Sequence, residues 1–401
     1  MKILVANVGS TSFKFKLFDM ADGTVAAEGV VEGIGAAESP FRFRIGTAEQ
    51  DGRGHFPSYD AAVRRSVEAL LDPKSGVLAS PSDLGAVGFK TVHGKDMVEC
   101  RILDDEVLRA MEDYNFLAPA HNPPYIRAIR IFKQLVDAPL VGLFEPAFHR
   151  SVPEYAYTYG LPYELAREHG IRKYGFHGAS HRYISERAPV VAGIPQDRVR
   201  LISCHLGGSS SVCAVLNGDS IDVSMGFSPQ SGVLNAKRCG DLDPFIPLYL
   251  QKAAGLDADQ VADLLNNRSG LLGISGVSAD MKEIIKAADA GSKRAQLAID
   301  TFCYGVRHYI GAFHVALGGC DLLVFTGGIG ERSPRIRAGI CKGLECIGVE
   351  LDSRRNETAA GESIISAPDS IPKIAVVRTN EEWVVAREVQ RKIDRSGIHI
   401  G

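Results

Sequence analysis

The segment Ile3-Leu4-Val5-Ala6-Asn7-Val8-Gly9-Ser10-Thr11-Ser12-Phe13-Lys14-Phe15 returns, in the same frame, as Leu201-Ile202-Ser203-Cys204-His205-Leu206-Gly207-Gly208-Ser209-Ser210-Ser211-Val212-Cys213. Each copy is an aliphatic strand, a turn of Gly, Ser and Thr, and a second apolar strand. Two copies about half a chain apart predict two duplicated α/β domains facing a shared cleft. The turn is the informative part. Small residues let backbone N–H groups approach a phosphate closely, and hydroxyls add donors around it. One such turn reads as a plain hairpin; its recurrence in one strand–turn–strand frame points to a nucleotide cleft.

The rest of the chain alternates strand and helix, which places it in the α/β class. Residues 24–50 alternate as strands do. Ala62, Val63, Val67, Leu70 and Leu71 fall on one face of a helix over 59–71. Ala86–Gly94 and Leu140–Phe144 read as buried strands ending in polar residues. A helix is expected from about Ala179, a strand at Leu322–Phe325 feeding Thr326-Gly327-Gly328-Ile329-Gly330-Glu331, and a last helix from Trp383. A strand running into a glycine turn and a helix presents backbone amides to phosphate or ribose.

Composition bounds the function. At 401 residues with 45% hydrophobic and 23% charged side chains, the chain is ordinary globular material for two or three domains. A net charge of −3, with dispersed basic residues, gives no electrostatic case for nucleic acid or an anionic membrane. The eight cysteines form no Cys-x-x-Cys pair, and no apolar run is long enough to span a bilayer. Met1–Asn7 carries one basic residue and a short strand-like run, too short for a signal-peptide core, so a cytoplasmic setting is expected.

Lys90, Arg238 and Lys282 lie in or beside glycine-rich turns, where a cation can stabilise a transferring phosphoryl group. The bland alternative for each is a solvated surface charge. Among histidines, His177 stands at a strand end between Phe176 and Gly178, placed to donate to a phosphoryl oxygen. His121 lies in Ala120-His121-Asn122-Pro123-Pro124, and His205, inside a predicted strand, reads as structural from its position. Glu145 and Glu381 end strands; Mg²⁺ needs one or two such carboxylates plus waters. For Glu382 helix-dipole pairing is the preferred reading.

Taken together, Asn7–Lys14, Phe144-Glu145-Pro146-Ala147-Phe148-His149, Tyr174–His181, Ser224–Pro229, Phe325–Glu331 and Thr379-Asn380-Glu381-Glu382 resemble the acetate kinase family over nearly the whole length. The resemblance implies two actin/hexokinase-like (ribonuclease H-like) domains around a nucleotide cleft. It implies an N-terminal domain, 1–148, completed by the helix 383–401, and a nucleotide-binding and dimerisation domain, 149–382. The implied reaction passes the γ-phosphoryl of ATP to a short carboxylate, with Mg²⁺, in a homodimer.

Carried over by position, Asn7 and Glu381 serve the metal, Glu145 supplies the catalytic carboxylate, and His177, Arg238 and Lys90 meet transition-state charge. His121 holds substrate phosphate, and Val92, Ala120, Phe176 and Pro229 line the acid pocket beside Lys90. Lys14, His205, Gly207, Gly208, Asp280, Lys282, Gly327, Gly328 and Ile329 form the nucleotide side.

Several positions depart from the family pattern. Phe89-Lys90 stands where His-Arg is usual, Glu145 replaces Asp, Gly207-Gly208-Ser209 replaces Gly-Asn-Gly, Ala236-Lys237-Arg238 replaces Gly-Thr-Arg, and Lys282 replaces Arg. Lysine keeps the charge but loses the two-pronged grip of arginine. Ala120 replaces a pocket Leu, which frees roughly three carbons of volume, and Gln230 brings a polar group beside Pro229. The expectation is a carboxylate kinase for an acid larger than acetate. The alternatives are a binding protein that has lost turnover, or a kinase using another phosphoryl donor such as pyrophosphate.

Overall fold

A computed structural model describes residues 1–9, 11–119 and 121–397. Ser10 of the first turn, Ala120 of the expected acid pocket and residues 398–401 at the end of the expected last helix lie outside the described residues. The chain divides into two compact units, Met1–Ala147 with Asn380–Gly401, and Phe148–Thr379.

In the first unit, β1 (Lys2–Val8), β2 (Ser12–Asp19), β3 (Thr24–Glu32), β4 (Ser39–Ile45), β5 (Ala48–Gly54), β6 (Leu84–Thr91), β7 (Cys100–Ile102) and β8 (Leu140–Phe144) form one sheet in the order β5-β4-β3-β2-β1-β6-β8-β7. β1 pairs antiparallel with β2 and parallel with β6, and β6 is parallel to β8. The parallel strands are apolar on both faces because helices cover both. Phe89 packs edge-on against Phe132 of the helix Asn122–Leu135. Its neighbour Gly88 faces the helix Glu381–Ser396, where an added Cβ would lie 2.9 Å from Val389. That glycine lets the last helix close on the sheet.

The second unit holds β9 (Arg200–Leu206), β10 (Ser210–Leu216), β11 (Asp219–Val223), β12 (Leu322–Thr326), β13 (Ser363–Ile364) and β14 (Lys373–Val376), ordered β11-β10-β9-β12-β14-β13. Its five strands β11-β10-β9-β12-β14 repeat the order and senses of β3-β2-β1-β6-β8. The fold is α/β with a duplicated sheet. Alternate strand residues feed two cores: Leu201, Leu322 and Val324 meet Ile184 and Ala188 of the helix Gly178–Ala192. Ile202, Cys204, Leu323 and Phe325 share the other core with Phe302 and Val306 of the helix Lys293–Ala316.

Lys90 lies inside β6, opposite Leu143 of β8, within the stretch expected to be a buried strand. Two local expectations shift. Lys282 sits in the first turn of the helix Met281–Asp289. The last helix starts at Glu381, two residues earlier than expected, because the Asn380 side chain accepts the Trp383 N–H and caps it there.

Candidate active site

In the first unit the ends of β1, β6 and β8 and the start of the last helix bring Asn7, Lys90, Glu145 and Glu381 together. Lys90 Nζ donates to Glu381 Oε2 and lies 3.4 Å from Glu145 Oε1. The Glu145 side chain is 4% exposed and that of Lys90 22%. Burial works against the ammonium, but the Glu381 and Glu145 charges outweigh it and hold the lysine pKa well above its ordinary value. Tyr125, from the helix Asn122–Leu135, donates its hydroxyl to Asn7 Oδ1 at 3.3 Å. Burial pushes this phenol up to about 12, so it remains a donor at neutral pH. The result is one ammonium between two carboxylates, beside an amide oxygen held by a phenol.

The second unit carries a different chemistry. His177 stands at the N-terminus of the helix Gly178–Ala192 with φ of 57°, a backbone that costs a non-glycine residue about 1–2 kcal/mol. Its Nδ1 bonds to Ser211 Oγ at 2.8 Å, and its ring stacks on His205 with centroids 4.2 Å apart. His205 also bonds Ser180 Oγ at 2.8 Å, which ties the strand to the start of the helix Gly178–Ala192. Ser211 Oγ meets His181 Nε2 at 2.7 Å, and His181 Nδ1 meets Ser203 Oγ at 2.9 Å. Burial drives the His181 pKa well below the usual imidazole value, so its ring is neutral. His149, taken down to about 4 by burial, is neutral too. Its Nε2–H donates to the Phe176 carbonyl at 3.0 Å, which leaves Nδ1 to accept from Ser220 at 2.8 Å.

Arg238 is half-buried, and its desolvation lowers the pKa to about 10, still charged at neutral pH. Its Nη1 donates to the Pro229 carbonyl at 3.0 Å and its Nη2 to Ser209 Oγ. The turn containing Gly207 and Gly208 is stapled to this loop: Ala236 N–H donates to Gly208 O at 3.0 Å, and Ser210 N–H to Asn235 Oδ1 at 2.6 Å. Gly327 has φ of 76°, and an added Cβ would sit 2.7 Å from Leu206 O, so only glycine lets these two turns approach. One added to Gly207 would come within 4.0 Å of Gly328 N. The turns therefore lie side by side at the carboxyl ends of β9 and β12, where α/β sheets bind ligands.

The remaining expected residues scatter more. Phe176 and Pro229 are buried in the second unit and Val92 in the first. His121 precedes the helix Asn122–Leu135, and Lys14 is exposed on β2 opposite Asn7. Asp280 caps the helix Met281–Asp289 by accepting the Lys282 N–H at 2.9 Å, and both side chains are exposed. Ile329 lies in the short helix Gly327–Arg332. Gln230 is already engaged, its amide nitrogen donating to Asn266 Oδ1. Sequence reasoning missed Tyr125, His181, Ser209 and Ser211. The signal for the last two was the unbroken Ser209-Ser210-Ser211 run after the glycines.

The Acetokinase family model matches residues 2–387. The chain is 42% identical over 398 residues to the acetate kinase of Dictyoglomus thermophilum, covering 98% of this chain and all of that protein. Among solved structures it is similar to Porphyromonas gingivalis acetate kinase (38% identity, TM-score 0.86, covering 97% of this chain and 99% of that one). It is also similar to a propionate kinase from Francisella tularensis (34% identity, TM-score 0.88, covering 96% and 98%).

This chain belongs to the acetate kinase family. It is a phosphotransferase with a carboxyl group as acceptor, using ATP as phosphoryl donor with Mg²⁺. Among the described residues no group of three or more His, Cys, Asp or Glu is placed to hold a metal ion, and no helix is long and apolar enough to cross a membrane. Mg²⁺ does not need an all-protein cage. It keeps waters and takes one or two carboxylates plus substrate phosphates. The Asn7 amide oxygen with the Glu381 carboxylate is an oxygen-only set of that kind, so the residues present fit the ion.

Proposed function

We propose that this acetate kinase family member phosphorylates a carboxylic acid larger than acetate, working as a homodimer in the cytoplasm. The observation that carries the substrate reading is Ala120 at the position where the family resemblance expects a pocket leucine. Gln230 supports it: its Oε1 is buried and has no hydrogen-bond partner among the described residues, which suits an acid bearing a hydroxyl or amide donor. A related solved structure is named a propionate kinase, after an acid one carbon longer.

Within this reading each residue takes the role that the family resemblance implies for its position. An oxygen of the acid attacks the γ-phosphorus as the bond to the bridging oxygen breaks, and that electron pair leaves on ADP. Asn7 and Glu381 hold Mg²⁺, which when bound neutralises phosphate charge. Glu145 supplies the catalytic carboxylate and fixes Lys90, whose ammonium offsets charge on the acid and the moving phosphoryl group. His177 and Arg238 donate to the equatorial oxygens, and His121 to the phosphate. Val92, Phe176 and Pro229 are the apolar residues that the resemblance assigns to the acid's alkyl end. Gly207, Gly208, Gly327, Gly328 and Ile329 cradle the nucleotide, with Lys14, His205, Asp280 and Lys282 around it. Dimerisation is supported by the helix Phe245–Ala254, which buries none of its residues yet exposes Phe245 at 73% and Tyr249 at 69%.

The test is ADP release with Mg-ATP across acetate, branched, hydroxy- and dicarboxylic acids, with hydroxylamine trapping of the acyl phosphate. Greater kcat/KM on a longer acid, reversed by Ala120→Leu, is expected. Preference for acetate in the unmodified chain overturns the pocket reading. ATP binding without turnover on any acid would replace it with a binding module, and turnover only with pyrophosphate with another donor.

A further inference from the structure

Ser209, Ser210 and Ser211 follow the glycine turn without a break, and each hydroxyl has a separate task. Ser209 Oγ accepts from Arg238 Nη2. Ser210 Oγ closes the turn on Gly207, 3.2 Å from both its nitrogen and its carbonyl oxygen. Ser211 Oγ lies between His177 Nδ1 and His181 Nε2, at 2.8 and 2.7 Å. Two hydroxyls two residues apart, on one strand start, therefore hold the arginine and the histidine that the proposed mechanism assigns to the moving phosphoryl group.

We infer that Ser209 and Ser211 are positioning residues, a single mount that orients Arg238 and His177 from the nucleotide turn. The inference rests on the roles given above to those two residues.

The chemistry of each bond is definite. A guanidinium only donates, so Ser209 must accept, and its own proton is free to turn elsewhere. Besides Ser209, the Arg238 side chain is held by the Pro229 carbonyl. One contact fixes a point; two on different nitrogens fix the plane of the guanidinium. A glycine at this position would have no side chain to offer, so this second contact depends on the serine.

Ser211 has one proton for two nitrogens. His181 is neutral, so one ring nitrogen donates while the other accepts, and its bond to Ser203 can run in either direction to match. Ser211 can thus donate to His177 Nδ1 or accept from it without breaking the chain. His177 keeps its orientation whichever nitrogen carries the proton, which suits a ring whose partner oxygens gain charge during transfer. The stack on His205 and the left-handed backbone hold the ring from its other sides.

The experiment uses the full chain with Mg-ATP and the best acid of the panel. Ser209→Gly and Ser211→Ala are each expected to lower kcat about ten- to a hundredfold while moving the KM for ATP by no more than roughly threefold. Ser209→Thr and Ser211→Thr, which keep the hydroxyl, should restore most of the rate. In an Arg238→Ala background Ser209→Gly should have little further effect, and likewise Ser211→Ala in His177→Ala, because each serine acts through its partner. Thermal melting of every variant separates lost folding from lost alignment. If Arg238→Ala and His177→Ala lose turnover while the serine variants keep it, the mount is wrong and the mechanism stands. If the serine effects persist undiminished in the partner-deleted backgrounds, the serines act elsewhere and the inference fails. Full turnover in Arg238→Ala and His177→Ala would instead remove the roles on which it rests.

Discussion

The two units share a five-strand frame, yet their candidate sites are electrostatic opposites. At the ends of β1, β6 and β8 the first unit collects two carboxylates and an amide oxygen around one ammonium. Around the ends of β9 and β12 the second collects a half-buried guanidinium, glycine amides and histidines kept neutral by burial. The first arrangement attracts cations and the second attracts anions. Duplication supplies the same frame twice, and the residues at the strand ends divide the two copies into a cation-seeking and an anion-seeking arrangement.

The strongest test of that division removes the anion-seeking charge. Arg238→Ala should lower kcat by about 10²–10³, roughly 2.7–4 kcal/mol of transition-state stabilisation, with ATP still bound. A loss in ATP affinity as large as the loss in kcat would show instead that Arg238 binds nucleotide uniformly in ground and transition states.

A second test addresses the neutral histidines. The His149 pKa is taken from 6.5 to about 4 in the folded state, so the unfolded chain binds this proton first as pH falls. Its contribution is present above about pH 6.5 and is lost progressively as pH falls toward 4, a change of about 3 kcal/mol. Urea unfolding between pH 7 and 4.5 should show this loss, and His149→Gln should show a shallower slope. Parallel slopes would mean that the second unit does not depend on keeping this ring uncharged. His181, shifted in the same direction, keeps its own share in that variant.

The first unit is tested by deleting its cation. Lys90→Met leaves Glu145 and Glu381 facing each other, at a cost of about 2 kcal/mol, below that of a fully buried pair because water still reaches Lys90 and Glu381. Mg²⁺ should raise the Tm of this variant more than that of the unmodified chain, since the ion can replace the lost charge. An equal Mg²⁺ response in both would detach Glu381 from the metal.

What could be read from the sequence follows from range. The paired turns, β6, β8 and β12 were legible because each is a local run of apolar residues ending in glycine or a polar residue. The α/β class follows from those same runs. The pairing of Lys90 with Glu381 spans 291 positions, and that of Ser211 with His181 spans 30. No local pattern encodes either. The local sequence around Tyr125 gives no sign that folding turns its hydroxyl onto Asn7. Lys90 carries its charge inside a buried strand, which is costly. The two carboxylates that offset this cost lie elsewhere in the chain.

The finest comparison lies between two adjacent glutamates at the start of the last helix. Glu381 reaches Lys90 inside the cluster. Among the described residues Glu382 pairs with Lys16, at 3.6 Å, with the two side chains 25% and 31% exposed. An exposed pair at that distance, with the favourable end of the helix dipole, is worth about 0.5 kcal/mol. Glu382→Gln should therefore shift Tm by a degree or so (roughly, for a chain of this size) and leave kcat within about twofold. Glu381→Gln, one residue away, should lower kcat and raise the Mg²⁺ concentration needed for half-maximal rate. A tenfold loss in Glu382→Gln would mean that the metal is served by both carboxylates, and that the helix start, rather than Glu381 alone, is the cation-seeking element of the first unit.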